Sequence, residues 1–470
     1  MTSAHPALRD AVTRNGATVA VHDASVLKSE AMDAVVWDAV FGGQAERDYA
    51  RWLIWEIAQQ VGIRPWSIHD LYMARGRGEV RGFTVPAINV RGLAYDTARS
   101  IFRVANRLDA GAFLLEIARS EIGYTDQRPA EYVAVMLAAA LREGFRGPVF
   151  IQGDHFQVNA KKYAADRDAE VNAVKALVRE AIDAGFYNID VDTSTLVDLS
   201  KESLSEQQRR NYEECVDIMQ TIRSLEPEGV TVSVGGEIGE VGSHNSTVPE
   251  LEAFMDGFNA TLAARAAGTT GLSKISVQSG TTHGGVVLAD GSIADVKIDF
   301  GTLEELSRVA REKYGLSGAV QHGASTLPDE AFHNFPRTET AEIHLATNFQ
   351  NMLYDALPKA LREEIYGWLR ENTKDERKPS DTDEQFYYKT RKKALGPFKR
   401  QLWEMDRAVR EQLGQAYDEK FAFLFTQLAV ADTKAMVKRH VHPRAIHRPM
   451  PGTGGHVAVA AAPDDTDLSD

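Results

Sequence analysis

Residues 148–155 read PVFIQGDH and residues 188–194 read NIDVDTS. Each is a short apolar run that ends on residues with chemistry: Asp154 and His155 in the first, Asp192 in the second. The segment between them, DAEVNAVKALVREAIDAGF (168–186), spaces its apolar residues as an amphipathic helix does. Together they form one strand–helix–strand unit, and the same alternation extends in both directions. Further strand candidates are TVPAINV (84–90), AFLLEIAR (112–119), VSVGGEIG (232–239), KISVQSGTTHG (274–284), GAVQHGAS (318–325) and EIHLATNF (342–349). Helical stretches such as AEYVAVMLAAALREGF (130–145) separate them.

Eight strands alternating with helices predict an α/β protein with a parallel sheet, closed as a (β/α)8 TIM barrel. An open doubly wound sheet has the same alternation. The barrel is favoured because Asn89, Asp154, His155, Asp192, Glu237, His283, His322 and Thr347 all stand at strand ends, and in a barrel those ends converge on one face. The expected organisation is a helical N-terminal segment over 1–80, the barrel over 81–350, a helical C-terminal extension over 351–440 and a disordered tail over 441–470. The first of these rests on AMDAVVWDAVF (31–41) and ERDYARWLIWEIAQQVG (46–62). The last rests on a Pro/Gly/His-rich and then acidic composition.

With 470 residues, 43% hydrophobic and 26% charged, the chain has the composition of a globular protein. Its formal charge of −14 argues against a nucleic-acid or anionic-membrane surface, while leaving room for a small anionic substrate in a local pocket. Cys215 is the sole cysteine, which excludes an internal disulfide and a cysteine metal cage. With no apolar run of membrane-spanning length and no signal core at the start, a cytoplasmic enzyme is the expectation.

Catalytic zinc takes three protein ligands and keeps an open position. His155, His283 and His322 end three separate strands, each beside a small residue that admits a ligand. Alone, a strand-end histidine reads as a hydrogen-bonded structural residue; three at equivalent ends read as a metal site. The tail histidines His440, His442, His447 and His456 are the competing set, without a rigid scaffold to hold them. Asp154 either orients a histidine or faces a substrate oxygen as a proton shuttle.

The ordered motifs PAIN (86–89), GDH (153–155), IDVDTS (189–194), GGEIGEVG (235–242), SGTTHGG (279–285), QHGASTLPDE (321–330) and LATNFQ (345–350) resemble the class II, zinc-dependent fructose-bisphosphate and tagatose-bisphosphate aldolases. The resemblance runs from Thr84 to Arg391. It implies that His155, His283 and His322 bind Zn2+, that Asp154 is the catalytic acid/base, and that Glu237 and Asp192 lie near the metal as alternative ligands. It implies a phosphate cradle of Gly284, Gly323, Ser325 and Thr347, a substrate contact from Asn89, and a grip on the far phosphate from Arg391 of a neighbouring subunit. The implied assembly is a homodimer or higher homo-oligomer, and the implied partner is a phosphorylated sugar.

Several positions depart from that pattern. The family's mobile-loop carboxylate has no counterpart in Gly242–Ser246, which leaves His244, Glu240 or another group to move the proton. The family's last-strand asparagine and aspartate are replaced by His344 and Ala346, and a glutamine and serine of the second strand by Glu116 and Ala118. The added carboxylate of Glu116 calls for a cation to pair with it, Arg119 or another. The expected function is therefore zinc-dependent cleavage of a ketose (bis)phosphate, such as fructose 1,6-bisphosphate, to dihydroxyacetone phosphate and an aldehyde. The alternatives are a zinc-dependent sugar-acid or sugar-phosphate epimerase or lyase, and a non-catalytic aldolase-like subunit.

Overall fold

A computed structural model of the chain describes residues 2–239, 244–280, 288 and 298–452. All eight expected strands form: β1 (Val85–Asn89), β2 (Leu114–Ala118), β3 (Gly147–Gln157), β4 (Asn188–Asp192), β5 (Ser233–Glu237), β6 (Lys274–Val277), β7 (Ala319–Gln321) and β8 (Glu342–Leu345). Their order is β3-β2-β1-β8-β7-β6-β5-β4, every pair is parallel, and pairing of β3 with β4 closes the ring. The fold is a (β/α)8 barrel.

Successive residues of a strand face opposite sides, so each strand gives one row to the barrel interior and one to the surrounding helices. In β4 and β6 the outward rows, Ile189 with Val191 and Ile275 with Val277, are apolar and buried. The inward rows are polar: Asn188, Asp190 and Asp192 in β4, Lys274 and Ser276 in β6, Glu342 and His344 in β8. A barrel interior is ordinarily packed with branched aliphatic side chains. Here much of it is a buried ionic network.

The N-terminal segment is more than helical. Thr2–Ser3, Val12–Asn15 and Thr18–Val21 form a small antiparallel sheet, and Ile63–Trp66 is a strand that pairs in parallel with the first half of β3. The helices Glu30–Phe41 and Gln44–Gln60 lie against Pro129–Arg142. That barrel helix is buried from Tyr132 to Leu141 on every face, as a helix apolar all round must be. It has the barrel on one side and the N-terminal helices on the other. The helix His69–Gly76 then sends the Tyr72 hydroxyl to the inward carboxylate of Glu342. The N-terminal segment thus supplies part of the barrel's filling.

The C-terminal extension carries helices, of which the longest, Arg407–Gln427, packs on Ala94–Arg107. The first part of the tail packs on the N-terminal segment. Residues 443–448 run along the helix Gln44–Gln60 and cap its two indoles: Trp52 Nε1 donates to the Arg448 carbonyl at 3.0 Å and Trp55 Nε1 to the Ile446 carbonyl at 2.6 Å. Glu56 holds His447 Nδ1 at 2.6 Å and the Arg448 N–H at 2.8 Å, and the Arg448 guanidinium lies 3.3 Å from the Trp55 ring centre. Buried indole N–H groups need acceptors, and this Pro/His-rich stretch provides them. The rest of the tail, with His456, is outside the described residues. No helix among the described residues is long and apolar enough to cross a membrane.

Candidate active site

At the carboxyl end of β3 the chain carries one residue more than its neighbour: Gly153 pairs with Ile189 and Phe156 with Val191. The bulge falls on Asp154 and His155, and His155 takes φ +38°, in the left-handed region where non-glycine residues are uncommon. Bulges of this kind re-aim side chains at barrel rims. Both residues are buried at the mouth.

Around His155 the other strand ends converge. Its Nδ1 lies 3.0 Å from Asp192 Oδ2 on β4 and 3.5 Å from Glu237 Oε2 on β5. The His322 ring, just past β7, is 4.3 Å from the His155 ring, centre to centre, and its Nε2 is 3.0 Å from Ser276 Oγ on β6. One donor atom each from His155, Glu237 and His322 come within 4.8 Å of one another. Two imidazoles and a carboxylate at this spacing fit a divalent first-row cation. His283 and Gly284, the other expected ligand and cradle residue, lie outside the described residues.

Asp192 stands one step behind this set. Its Oδ2 accepts from Gln157 at 2.6 Å as well as facing His155, and its Oδ1 accepts from the Ser194 hydroxyl at 2.6 Å and N–H at 3.0 Å. Burial alone would raise its pKa, but these hydrogen bonds hold it below the usual carboxylate value. With both oxygens engaged, it is placed to orient the His155 ring.

Glu237 differs: burial and the neighbouring Asp192 push its carboxyl up to about 8, against the pull of His155. Asp154 is the opposite case. Burial would raise it, yet His155, His344 and His322 hold it well below the ordinary value, so it is ionised. His155 is itself raised well above the usual imidazole value, the carboxylates of Asp154, Glu237 and Asp192 overcoming its burial.

His344, an unusual residue by the motif pattern, reaches this cluster from β8. Its ring is 4.0 Å from that of His322, and its Nδ1 is 3.1 Å from both Asp154 Oδ1 and Glu116 Oε2. The cation expected for Glu116 is thus His344 and not Arg119. Arg119 points to the helix side of β2, where it binds Glu170 at 2.7 Å and the Gln157 carbonyl at 2.6 Å.

Below this pair lies a group that reading by motif passed over. Lys274 Nζ bonds Gln152 Oε1 at 2.8 Å, Asp190 Oδ2 at 2.9 Å and Glu342 Oε1 at 2.6 Å, all buried. The available signal was charge inside short strands: KISV, NIDVD and EIHL each carry an ionisable residue on their inward row.

The remaining expected residues lie around the rim. Asn89 Nδ2 donates to Glu121 Oε2 at 2.6 Å, and its Oδ1 is buried without a hydrogen-bond partner. Gly323, at φ +68°, turns the chain after His322 so that the Ser325 hydroxyl accepts from the Ala346 N–H. Thr347 opens the helix Thr347–Ala356, whose N-terminal N–H groups favour an anion. Arg391 is held one turn further along that helix by its own chain: it bonds Asn351 and sits 4.9 Å from the Tyr354 ring and 4.4 Å from the Tyr388 ring. The side chain of His244 is over half exposed and 3.2 Å from Glu250, while Glu240 lies outside the described residues.

The family described as Fructose-bisphosphate aldolase class-II matches residues 77–405. No curated protein sequence matches the chain. Among solved structures, a probable tagatose 6 phosphate kinase from Sinorhizobium meliloti 1021 is similar at 16% identity and a TM-score of 0.53, covering 76% of this chain and 99% of that one. A fructose-bisphosphate aldolase from Campylobacter jejuni is similar at 16% identity and a TM-score of 0.47, covering 79% and 97%. The first likeness is one of fold. The family match spans the barrel with every described strand-end residue above, and the chain belongs to the class II fructose-bisphosphate aldolase family.

Proposed function

We propose that the protein is a zinc-dependent aldolase that reversibly cleaves a ketose phosphate to dihydroxyacetone phosphate and an aldehyde. The observation that carries this is the convergence of His155, Glu237 and His322 beside an ionised, buried Asp154. His155, His322 and Glu237, with His283 as a further candidate, would hold the ion. Zinc held there supplies Lewis-acid stabilisation of the negative charge that develops on the ketose oxygen as the carbon–carbon bond breaks.

The protein's own groups do the rest. Asp154 accepts the proton of the hydroxyl on the cleaved bond and returns it in the synthetic direction. Asp192, itself fixed by Gln157 and Ser194, keeps the His155 ring in one orientation. Ser325, the turn at Gly323 and the first N–H groups of the helix opened by Thr347 receive the phosphate. Asn89 offers its unpartnered Oδ1 to a substrate hydroxyl.

The test is turnover on a panel of ketose mono- and bisphosphates by protein stripped with chelator and then supplied with Zn2+. Activity lost on stripping and restored by zinc supports the reading. Chelator-resistant cleavage, or a Schiff base trapped by borohydride, overturns it. One specific observation favours a second reading, an epimerase or lyase acting on a sugar acid: Glu116 and His344 reshape the wall beside Asp154. Uronates in the same panel separate the two.

A further inference from the structure

The inward faces of β2 and β8 carry a second convergence of metal-binding atoms, separate from the set on β3, β5 and β7. Glu116, Glu342 and His344 are all buried, and one donor atom of each comes within 4.8 Å of the others. His344 Nδ1 lies 3.1 Å from Glu116 Oε2 and its Nε2 lies 2.8 Å from Glu342 Oε1. Neither contact has the alignment of a hydrogen bond, and Glu116 Oε1 has no hydrogen-bond partner although the residue is fully buried. Ligand atoms around a four-coordinate ion with bonds of about 2.1 Å stand roughly 3.4 Å apart. One imidazole nitrogen of His344 can ligate, so the spacing that bears on a shared cation is that of one donor atom from each residue. These lie within 4.8 Å of one another, a span that a small shift of the side chains closes onto one ion.

Charge points the same way. Glu116, Asp190 and Glu342 are three buried carboxylates, and Lys274 is the ammonium among them, bonded to Asp190 and Glu342. In the ion-free protein His344 is the cation that faces Glu116 and Glu342. An ion that takes the imidazole displaces its proton, and Glu116, Asp190, Glu342 and Lys274 then leave two formal negative charges, the charge of one divalent ion. The two residues that make the difference, Glu116 and His344, stand where the family motif has neutral amides.

We propose that Glu116, Glu342 and His344 form a second divalent-cation site, for Zn2+ or Mn2+, next to the one proposed for catalysis. An imidazole and two carboxylates are a donor set that both ions accept. The two sites are contiguous through the adjacent rings of His322 and His344, tilted 34° to one another with centres 4.0 Å apart. The inference does not depend on the aldolase reading, since metal can be counted without turnover.

The full-length protein, stripped with chelator and dialysed against buffered Zn2+ or, separately, Mn2+, is assayed for metal per chain by elemental analysis. Two ions per chain are expected. Glu116→Gln with His344→Asn should bring the count to one, and His155→Ala should also leave one, bound at the second site. If the double variant does not fold by circular dichroism, Glu116→Gln alone carries the test, because it keeps the side-chain volume; its second ion should bind at least tenfold more weakly. One ion in the wild type, or two retained with undiminished affinity in the variant, overturns the proposal and leaves Glu116 and His344 as an ion pair. Wild-type protein that binds two ions yet turns over no ketose phosphate would count against the aldolase reading alone.

Discussion

His344 Nδ1 and Glu116 Oε2 lie 3.1 Å apart although their strands, β8 and β2, are not neighbours. The strand between them is β1, where His344 is in register with Ala87 and Glu116 with Asn89. Residues in register on parallel strands face the same side, so the methyl group of Ala87 leaves the space across which the two longer side chains meet. Each partner looks anomalous alone, and together they balance.

The two partners should not be equal in metal-free protein. His344→Asn removes the imidazole that faces Glu116, Asp154 and Glu342 and is expected to cost about 3–5 kcal/mol, the range for stranding buried charge. Glu116→Gln leaves His344 the carboxylates of Asp154, Glu342 and Asp190 and should cost less. The double variant should lose less than the sum, which a urea-unfolding cycle measures directly.

Metal uptake should depend on pH through Glu237. Its carboxyl is pushed up to about 8, so the metal-free site carries a proton that the ion must displace. His155, also raised, must give up its proton to the ion as well, so apparent affinity should rise more than about tenfold per unit below pH 8. Glu237→Gln should flatten that slope, read by competition with a chromophoric chelator. Linkage to stability has the opposite sense. The native state keeps this proton while the unfolded chain releases it above its ordinary 4.5, so metal-free protein should lose stability as pH rises from about 4.5 to 8.

Asp192→Asn tests the support of His155. The amide keeps the volume but weakens the hold on the His155 ring, and a 10–100-fold loss of metal affinity is expected with the fold intact. Unchanged affinity would show that Asp192 has no part in orienting the ligand.

The segment 443–448 offers a test distant from the site. Arg448→Ala removes a guanidinium packed on the Trp55 ring and should cost about 1–2 kcal/mol, with a change in tryptophan emission. Turnover at saturating substrate should be unaffected at temperatures well below unfolding.

The barrel was legible because β-strands and helices have different periods, and eight strand-length runs alternated with helical ones. His155, His322 and Glu237 were legible because each ends such a run. Other features were hidden by the same reading. Ile63–Trp66 is four residues long and flanked by helices, too short for a period to register. Lys274, Asp190 and Glu342 sit within strands whose outward residues are apolar, and only the closed ring brings their inward rows together. Residues 443–448 have a composition that ordinarily stays unfolded; two tryptophans nearly four hundred residues earlier give them something to bind. Which cation pairs with Glu116 stays open in the sequence, because Arg119 is near along the chain while His344 is near only across β1.

The capped indoles also bear on how the molecule is made. Trp55 and the carbonyl it bonds are separated by 391 residues of chain. A ribosome adding roughly 5–20 residues per second takes on the order of 20–80 s to cover that distance. Through that interval the helix bearing Trp52 and Trp55 has left the exit tunnel with its acceptors not yet synthesised. The first layer laid down is therefore the last to be finished, and its exposed aromatic face is where a holdase would be expected to bind the nascent chain.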